Sequence, residues 1–205
     1  MYLKLLGNLR FIELGRLYPS ERTIPKKLSA TKSVLRRANT FTHPIIVDRA
    51  TNVILDGTHR AQALRELGFR TVFCQLVDYK SPKIKVGTWY KAVSPKNKTI
   101  YIPDSAAEEF RQAGYRVYPR PALKKEQIIR AALSRKPLPP KSNRHVLDVR
   151  ILQANIPMRW LKLPPRKAQE LWDFELGKRL GKDALRLYEE SVLVLDDVAF
   201  RQRKH

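Results

Sequence analysis

A single cysteine, Cys74, stands among 205 residues, so no internal disulfide framework can hold this chain together. Its four histidines and that cysteine show no CxxC or HExxH spacing, and a structural zinc is not expected. No apolar run approaches the ~18–20 residues that cross a bilayer. The stretch from Met1 to Gly7 is too short for a secretory leader and lacks a small-residue cleavage site. A cytoplasmic protein with no membrane partner is expected. Carboxylates are scarce as well: 19 Asp and Glu face 41 Lys and Arg, a formal charge of +22.

Such a field attracts polyanions, including nucleic acid and nucleotide phosphates. The basic residues are nonetheless spread along the chain, and Arg36-Arg37, Lys124-Lys125 and Arg201-Gln202-Arg203-Lys204 are only short clusters. That pattern suits a solvated basic surface with weak, sequence-independent affinity for nucleic acid. Hydrophobic residues make up 43% of the chain, enough for a real core.

Hydrophobic periodicity predicts a mixed α/β unit over the first eighty residues. Leu9 to Leu14 alternates as a first strand, and Lys26 to Ala38 reads as a helix with Leu28, Thr31, Val34 and Leu35 inward. His43 to Asp48 and Val53 to Leu55 read as neighbouring strands of a hairpin. A helix follows from about Arg60 to Leu67, closed by Gly68, then a buried strand from Thr71 to Val77 that holds Cys74 as an inert thiol. A soft boundary near Ser81-Pro82 divides residues 1–80 from a second part, 81–205. There, strands are expected over Lys83–Tyr90, His145–Leu152 and Ser191–Leu195. Helices are expected over Ser105–Gln112, with Ser105 as cap, Lys124–Ser134 and Arg166–Leu180. Prolines 137, 139 and 140 force an extended segment.

One segment carries chemistry. Val53-Ile54-Leu55-Asp56-Gly57-Thr58-His59-Arg60 is a strand entering a helix through a glycine. A helix start exposes unpaired N–H groups and the positive end of the macrodipole, which favour phosphate. Gly57 permits close backbone approach, and His59 and Arg60 add side-chain donors. Asp56 is out of place in a purely anion-gripping loop but makes sense if Mg²⁺ accompanies the phosphates. The same residues also read as a plain Asp-Gly turn with Thr58 as a helix cap.

Leu55-Asp56-Gly57-Thr58-His59-Arg60, followed by Ala61-Gln62-Ala63-Leu64-Arg65-Glu66-Leu67-Gly68, resembles the signature of the ParB/sulfiredoxin superfamily. Within it, the chain is most similar to the free L-serine kinases. Leu17-Tyr18-Pro19-Ser20-Glu21, Thr42-His43-Pro44-Ile45-Ile46-Val47, Gln75-Leu76-Val77-Asp78-Tyr79 and Lys141-Ser142-Asn143-Arg144-His145 extend the likeness from about Leu9 to Leu152. The resemblance implies a mixed-sheet ParB/sulfiredoxin-like core with a C-terminal α/β part closing a cleft. It implies phosphoryl transfer from ATP or ADP to free L-serine with Mg²⁺. Asp56, Gly57, Thr58, His59 and Arg60 would hold the nucleotide, with Asp56 also on the metal. Glu21 would be the general base, and Trp89, Asn143, Arg144 and His145 would shape the amino-acid site.

Two positions depart from the family pattern. Thr58 stands where many members carry histidine, and Asn143 where the late element usually has threonine. Asparagine still donates and accepts hydrogen bonds. The competing reading is a ParB-like DNA-binding regulator switched by nucleotide. It needs a helix-turn-helix after the box, and the helix from Lys124 runs into prolines where a recognition helix should stand. A sulfiredoxin-type repair enzyme would need a cysteine in the box, where Thr58 stands instead.

Overall fold

The computed structural model describes residues 8–179. Its centre is a five-stranded mixed sheet. The strands are β1 (Leu9–Glu13), β2 (Tyr18–Pro19), β4 (Ile45–Asp48), β5 (Val53–Asp56) and β6 (Thr71–Val77), in the order β1-β6-β4-β5-β2. The expected hairpin is present: β4 and β5 pair antiparallel, while β4–β6 and β2–β5 are parallel. The turn between β4 and β5 is tied by Asp48, whose carboxylate accepts from the Thr51 N–H and hydroxyl and from the Tyr79 N–H. This is the α/β fold with a mixed sheet that the pattern implied.

Helix α1 (Pro25–Arg37) has proline in its first turn, where no N–H is missed, and Arg36 and Arg37 at its negative end. Leu35 is buried and Leu28 packs on the core, but Val34 is 62% exposed, so the inward face is narrower than expected. Helix α2 (Thr58–Glu66) follows Gly57 and buries Ala61, Ala63 and Leu64. It closes at Gly68, whose φ of +77° is strained for residues with a Cβ.

The later chain departs more from its sequence pattern. The stretch from Lys83 to Tyr90 is not one strand. It breaks at Thr88 into β7 (Ile84–Gly87) and β8 (Trp89–Val93), which belong to different sheets. β7 pairs with β11 (Arg144–Leu147), and β8 lies between β9 (Thr99–Pro103) and β10 (Arg116–Tyr118). The strand expected to reach Leu152 stops at Leu147. Beyond it, Gln75 holds the chain on the central sheet, donating to the Arg150 carbonyl and accepting from the Leu152 N–H. Ser105 lies inside a 3₁₀ turn preceding α3 (Ala107–Gln112), and its N–H is taken by Asp104. A short β12 (Ile156–Pro157) pairs with β3 (Thr40–Phe41). The strand expected over Ser191–Leu195 lies outside the described residues.

The core draws on both sides of Ser81. Phe73 on β6 stacks against Phe11 and against Trp172 of α5 (Pro165–Arg179), with ring centroids 5.1 Å apart in each pair. Ile156 and Leu161 are fully buried in the same cluster. Helix α4 (Lys125–Leu133) buries Ile128 and Ala132 and packs on β2 and β5. Together these contacts fix the ends of β2 and β5, where the chain opens into a cleft.

Candidate functional site

The ends of β2 and β5, the first turn of α2 and the strap 138–145 enclose a cavity of about 580 Å³. Every residue singled out from the sequence lines it: Glu21, the run from Asp56 to Arg60, Trp89, and Asn143 to His145. Lys27 lines it too, as do His43 and Lys141, which lie in segments of the resemblance that assigned them no role.

The floor is the β5–α2 turn. Gly57 has φ +96°, and a Cβ there would stand 3.0 Å from an Arg60 nitrogen and 3.2 Å from Ile45. Conformation therefore favours glycine, and a Cβ would also make Ile45 and the Arg60 tip give way by a few tenths of an ångström. Arg60 braces the turn: its guanidinium donates to the His43 and Pro44 carbonyls and pairs with Asp56 at 2.7 Å. His59 accepts a hydrogen bond at Nε2 from the Ile24 N–H at 3.0 Å, joining the starts of α2 and α1. Burial, with Lys27 and Lys141 nearby, lowers its pKa, so Nδ1 carries the proton that remains. The first turn of α2 lines the cavity and carries no side-chain cap, and helix-start N–H groups are the usual donors to a bound anion.

Glu21 forms the facing wall. Its segment runs beside the strap through two backbone hydrogen bonds, Arg22 N–H to Leu138 O at 2.8 Å and Leu138 N–H to Ser20 O at 3.0 Å. The carboxylate accepts from the Asn143 N–H at 2.7 Å and the Lys141 N–H at 3.0 Å. Burial raises its pKa, against the lowering effect of these donors and of the Lys141 charge. A carboxylate oriented by backbone donors and made more basic by burial is equipped to take a proton.

Trp89 donates its indole N–H to the Asn143 carbonyl at 2.9 Å, and Lys141 Nζ sits 3.5 Å from its ring centroid. Asn143 is 5% exposed, and its Nδ2 is buried with no hydrogen-bond partner. An unsatisfied buried donor costs about 1–3 kcal/mol. Arg144 pairs with Asp104 at 3.4 Å. His145 is engaged at both ring nitrogens, with the Leu55 carbonyl at 2.9 Å and the Tyr79 hydroxyl at 2.7 Å. Burial lowers its pKa to about 4. The neutral ring thus fixes the residue just before Asp56 and ties the strap to the floor.

Among the described residues no group of three or more His, Cys, Asp or Glu could hold a metal ion. Asp56 Oδ2 is held by Arg60 at 2.7 Å, so a hard cation there would take Oδ1 and draw its other oxygens from phosphate and water. Asp78 at the end of β6 is exposed, and Cys74 is fully buried.

No family model matches the chain. It is 30% identical over 110 residues to an ATP-dependent L-serine kinase of Staphylothermus marinus, covering 52% of this chain and 41% of that protein. It is 33% identical over 118 residues to an ADP-dependent L-serine kinase of Thermococcus kodakarensis, covering 51% and 49%. The match thus spans half or less of those two kinases. A ParB-like protein of Sulfolobus acidocaldarius is 24% identical over 195 residues, covering 75% of this chain and 98% of that one. Among solved structures, a free serine kinase in complex with AMP superposes with a TM-score of 0.66 at 20% identity, over 75% of this chain and 93% of that one. SbnI from Staphylococcus aureus gives 0.65 at 16% identity, over 86% and 99%. These structural likenesses show a shared fold.

Proposed function

We propose that this chain, a ParB/sulfiredoxin-type protein close to the free serine kinases, transfers a phosphoryl group from ATP or ADP to free L-serine, giving O-phospho-L-serine. The observation that carries the reading is the Glu21 carboxylate, held by two backbone N–H groups in the cavity that the first turn of α2 lines. Sequence similarity to L-serine kinases over about half of the chain supports it.

In this reading the first-turn N–H groups of α2 and the residues from Asp56 to Arg60 hold the nucleotide phosphates. Asp56 would hold Mg²⁺, which supplies charge neutralisation to the phosphates when bound. Glu21 orients the serine hydroxyl and takes its proton as the bond to phosphorus forms. Trp89 walls the amino-acid pocket, and Asn143 shapes it through the bond from the Trp89 indole to its carbonyl. Arg144, with its charge part-balanced by Asp104, faces the substrate carboxylate. His145 acts through Leu55, keeping the floor in register with the strap. Residues 1–80 would carry the nucleotide and 81–205 close the cleft. The setting would be cytoplasmic, and no helix among the described residues is long and apolar enough to cross a membrane.

The regulator reading has less support. The helix that would have to read DNA, α4, is packed on β2 and β5 with Ile128 fully buried. Nucleic-acid binding is expected to be weak and to fall steeply with salt. Incubation with L-serine, Mg²⁺ and ATP or ADP separately, followed by phosphorus NMR, is expected to give phosphoserine with at least one nucleotide. Absence of product with both would overturn the reading.

A further inference from the structure

The strap carries a lysine whose geometry its local sequence does not suggest. Lys141 has φ +65°, in the left-handed region that residues with a Cβ rarely adopt. Such strain persists only where surroundings over-determine it, and it gathers at functional sites. The surroundings are explicit. Its N–H donates to Glu21 at 3.0 Å, and its carbonyl accepts from Arg120 at 3.1 Å. With the backbone fixed at both ends, the side chain lies along the cavity wall, Nζ 3.5 Å from the Trp89 ring centroid. Its charge acts in two directions, stabilising the Glu21 carboxylate and opposing protonation of His59 in the α2 first turn. The cation therefore stands between the proposed base and the phosphate floor.

We propose that Lys141 contacts the terminal phosphate of the bound nucleotide, placing a positive charge where the phosphoryl group passes from floor to strap. The proposal rests on the kinase reading. In the transfer, the serine oxygen forms its bond to phosphorus as the bond from phosphorus to the leaving phosphate oxygen breaks. The hydroxyl proton goes to Glu21, and the electron pair of the broken bond leaves with the nucleotide. Charge then spreads over three equatorial oxygens, which a flexible ammonium group can follow. The Trp89 face holds that ammonium near its working position.

The test compares AMP with ADP and ATP by calorimetry in the parent, Lys141→Met and Lys141→Arg proteins. Loss of one charge-assisted contact is expected to weaken the tighter of ADP and ATP by roughly 10- to 100-fold in Lys141→Met. AMP should shift by less than roughly twofold, and Lys141→Arg, which keeps the charge, should retain most of the preference. Should Lys141→Met fail to fold, Lys141→Gln serves, since it keeps a polar tip without charge. Equal losses for AMP and its higher phosphates, or no loss for any, would overturn the proposal. A parent that binds nucleotide but makes no phosphoserine defeats the kinase reading while leaving the terminal-phosphate contact standing or falling on these affinities. A parent that binds none of the three defeats both.

Discussion

The two walls of the cleft use the same group, the backbone N–H, for opposite purposes. The floor, from β5 into α2, leaves its first-turn N–H groups without a side-chain cap, and left-handed Gly57 makes the tight entry into the helix. The strap turns the N–H groups of Lys141 and Asn143 onto a carboxylate of the protein itself, Glu21. The floor is contiguous in sequence, and a short hairpin and helix define it. The strap lies some 120 residues from Glu21 along the chain, and long-range bonds hold it: Leu138 to the Glu21 segment, and His145 to Leu55. In the proposed reading, one wall receives an anion and the other tunes one. Binding and chemistry should therefore be separable by mutation.

For nucleotide affinity and stability, the largest effect is expected at the floor. Gly57→Ala forces a side chain into φ +96° and against Arg60 and Ile45, at a cost of about 1–3 kcal/mol. Nucleotide affinity should fall roughly tenfold or more as the first-turn donors move. Denaturant melts and calorimetry read the two separately, and unchanged affinity would remove the turn from the site.

Arg60→Ala comes next. Losing the bonds to the His43 and Pro44 carbonyls and to Asp56 should lower stability by about 1–3 kcal/mol and weaken nucleotide binding. Weaker binding with stability intact would mean that the guanidinium serves the ligand and not the turn.

His145→Gln probes the tie between the walls and should cost about 1–2 kcal/mol at neutral pH. The sign of its pH dependence follows from its lowered pKa. Below the unfolded value of 6.5 the unfolded chain takes up a proton that the folded state refuses until about pH 4. The stability that the neutral ring contributes is therefore full above pH 6.5 and lost as pH falls toward 4. The gap between parent and His145→Gln in urea melts should shrink over that window, and a gap constant with pH would contradict the assignment. Smallest of all, Glu13→Gln on β1, away from the cavity, should leave serine turnover within roughly twofold.

Local signals made the floor legible in the sequence. β4, β5 and α2 announce themselves by β-branched runs, an Asp-Gly step and a closing Gly68. The strap was legible only in part. Resemblance, not periodicity, drew out Asn143 to His145, and nothing local separates Glu21 from Glu13. The run from Lys83 to Tyr90 alternates like one strand, yet Thr88 marks a change of partner sheet that alternation cannot encode. β9 and β10 gain their extended form by pairing with β8. The segment after Leu147 owes its course to Gln75 on a distant strand. Lys141 stands in a segment of the resemblance, but a backbone angle and a stack on Trp89 define its position, and neither is a property of its neighbours in sequence.

The separation of walls is tested most directly at Glu21. Glu21→Gln keeps shape and an acceptor oxygen but removes the proton acceptor. Phosphoserine formation is expected to fall by roughly 10²–10⁴-fold, with nucleotide affinity within about twofold of the parent because the proposed phosphate site is the α2 N-terminus. In the parent, the acid limb of turnover should lie above the range of an ordinary glutamate, since burial raises the Glu21 pKa, and this limb should vanish in the variant. Turnover close to the parental rate would contradict the base assignment, and loss of nucleotide binding alongside turnover would contradict the division of labour between floor and strap.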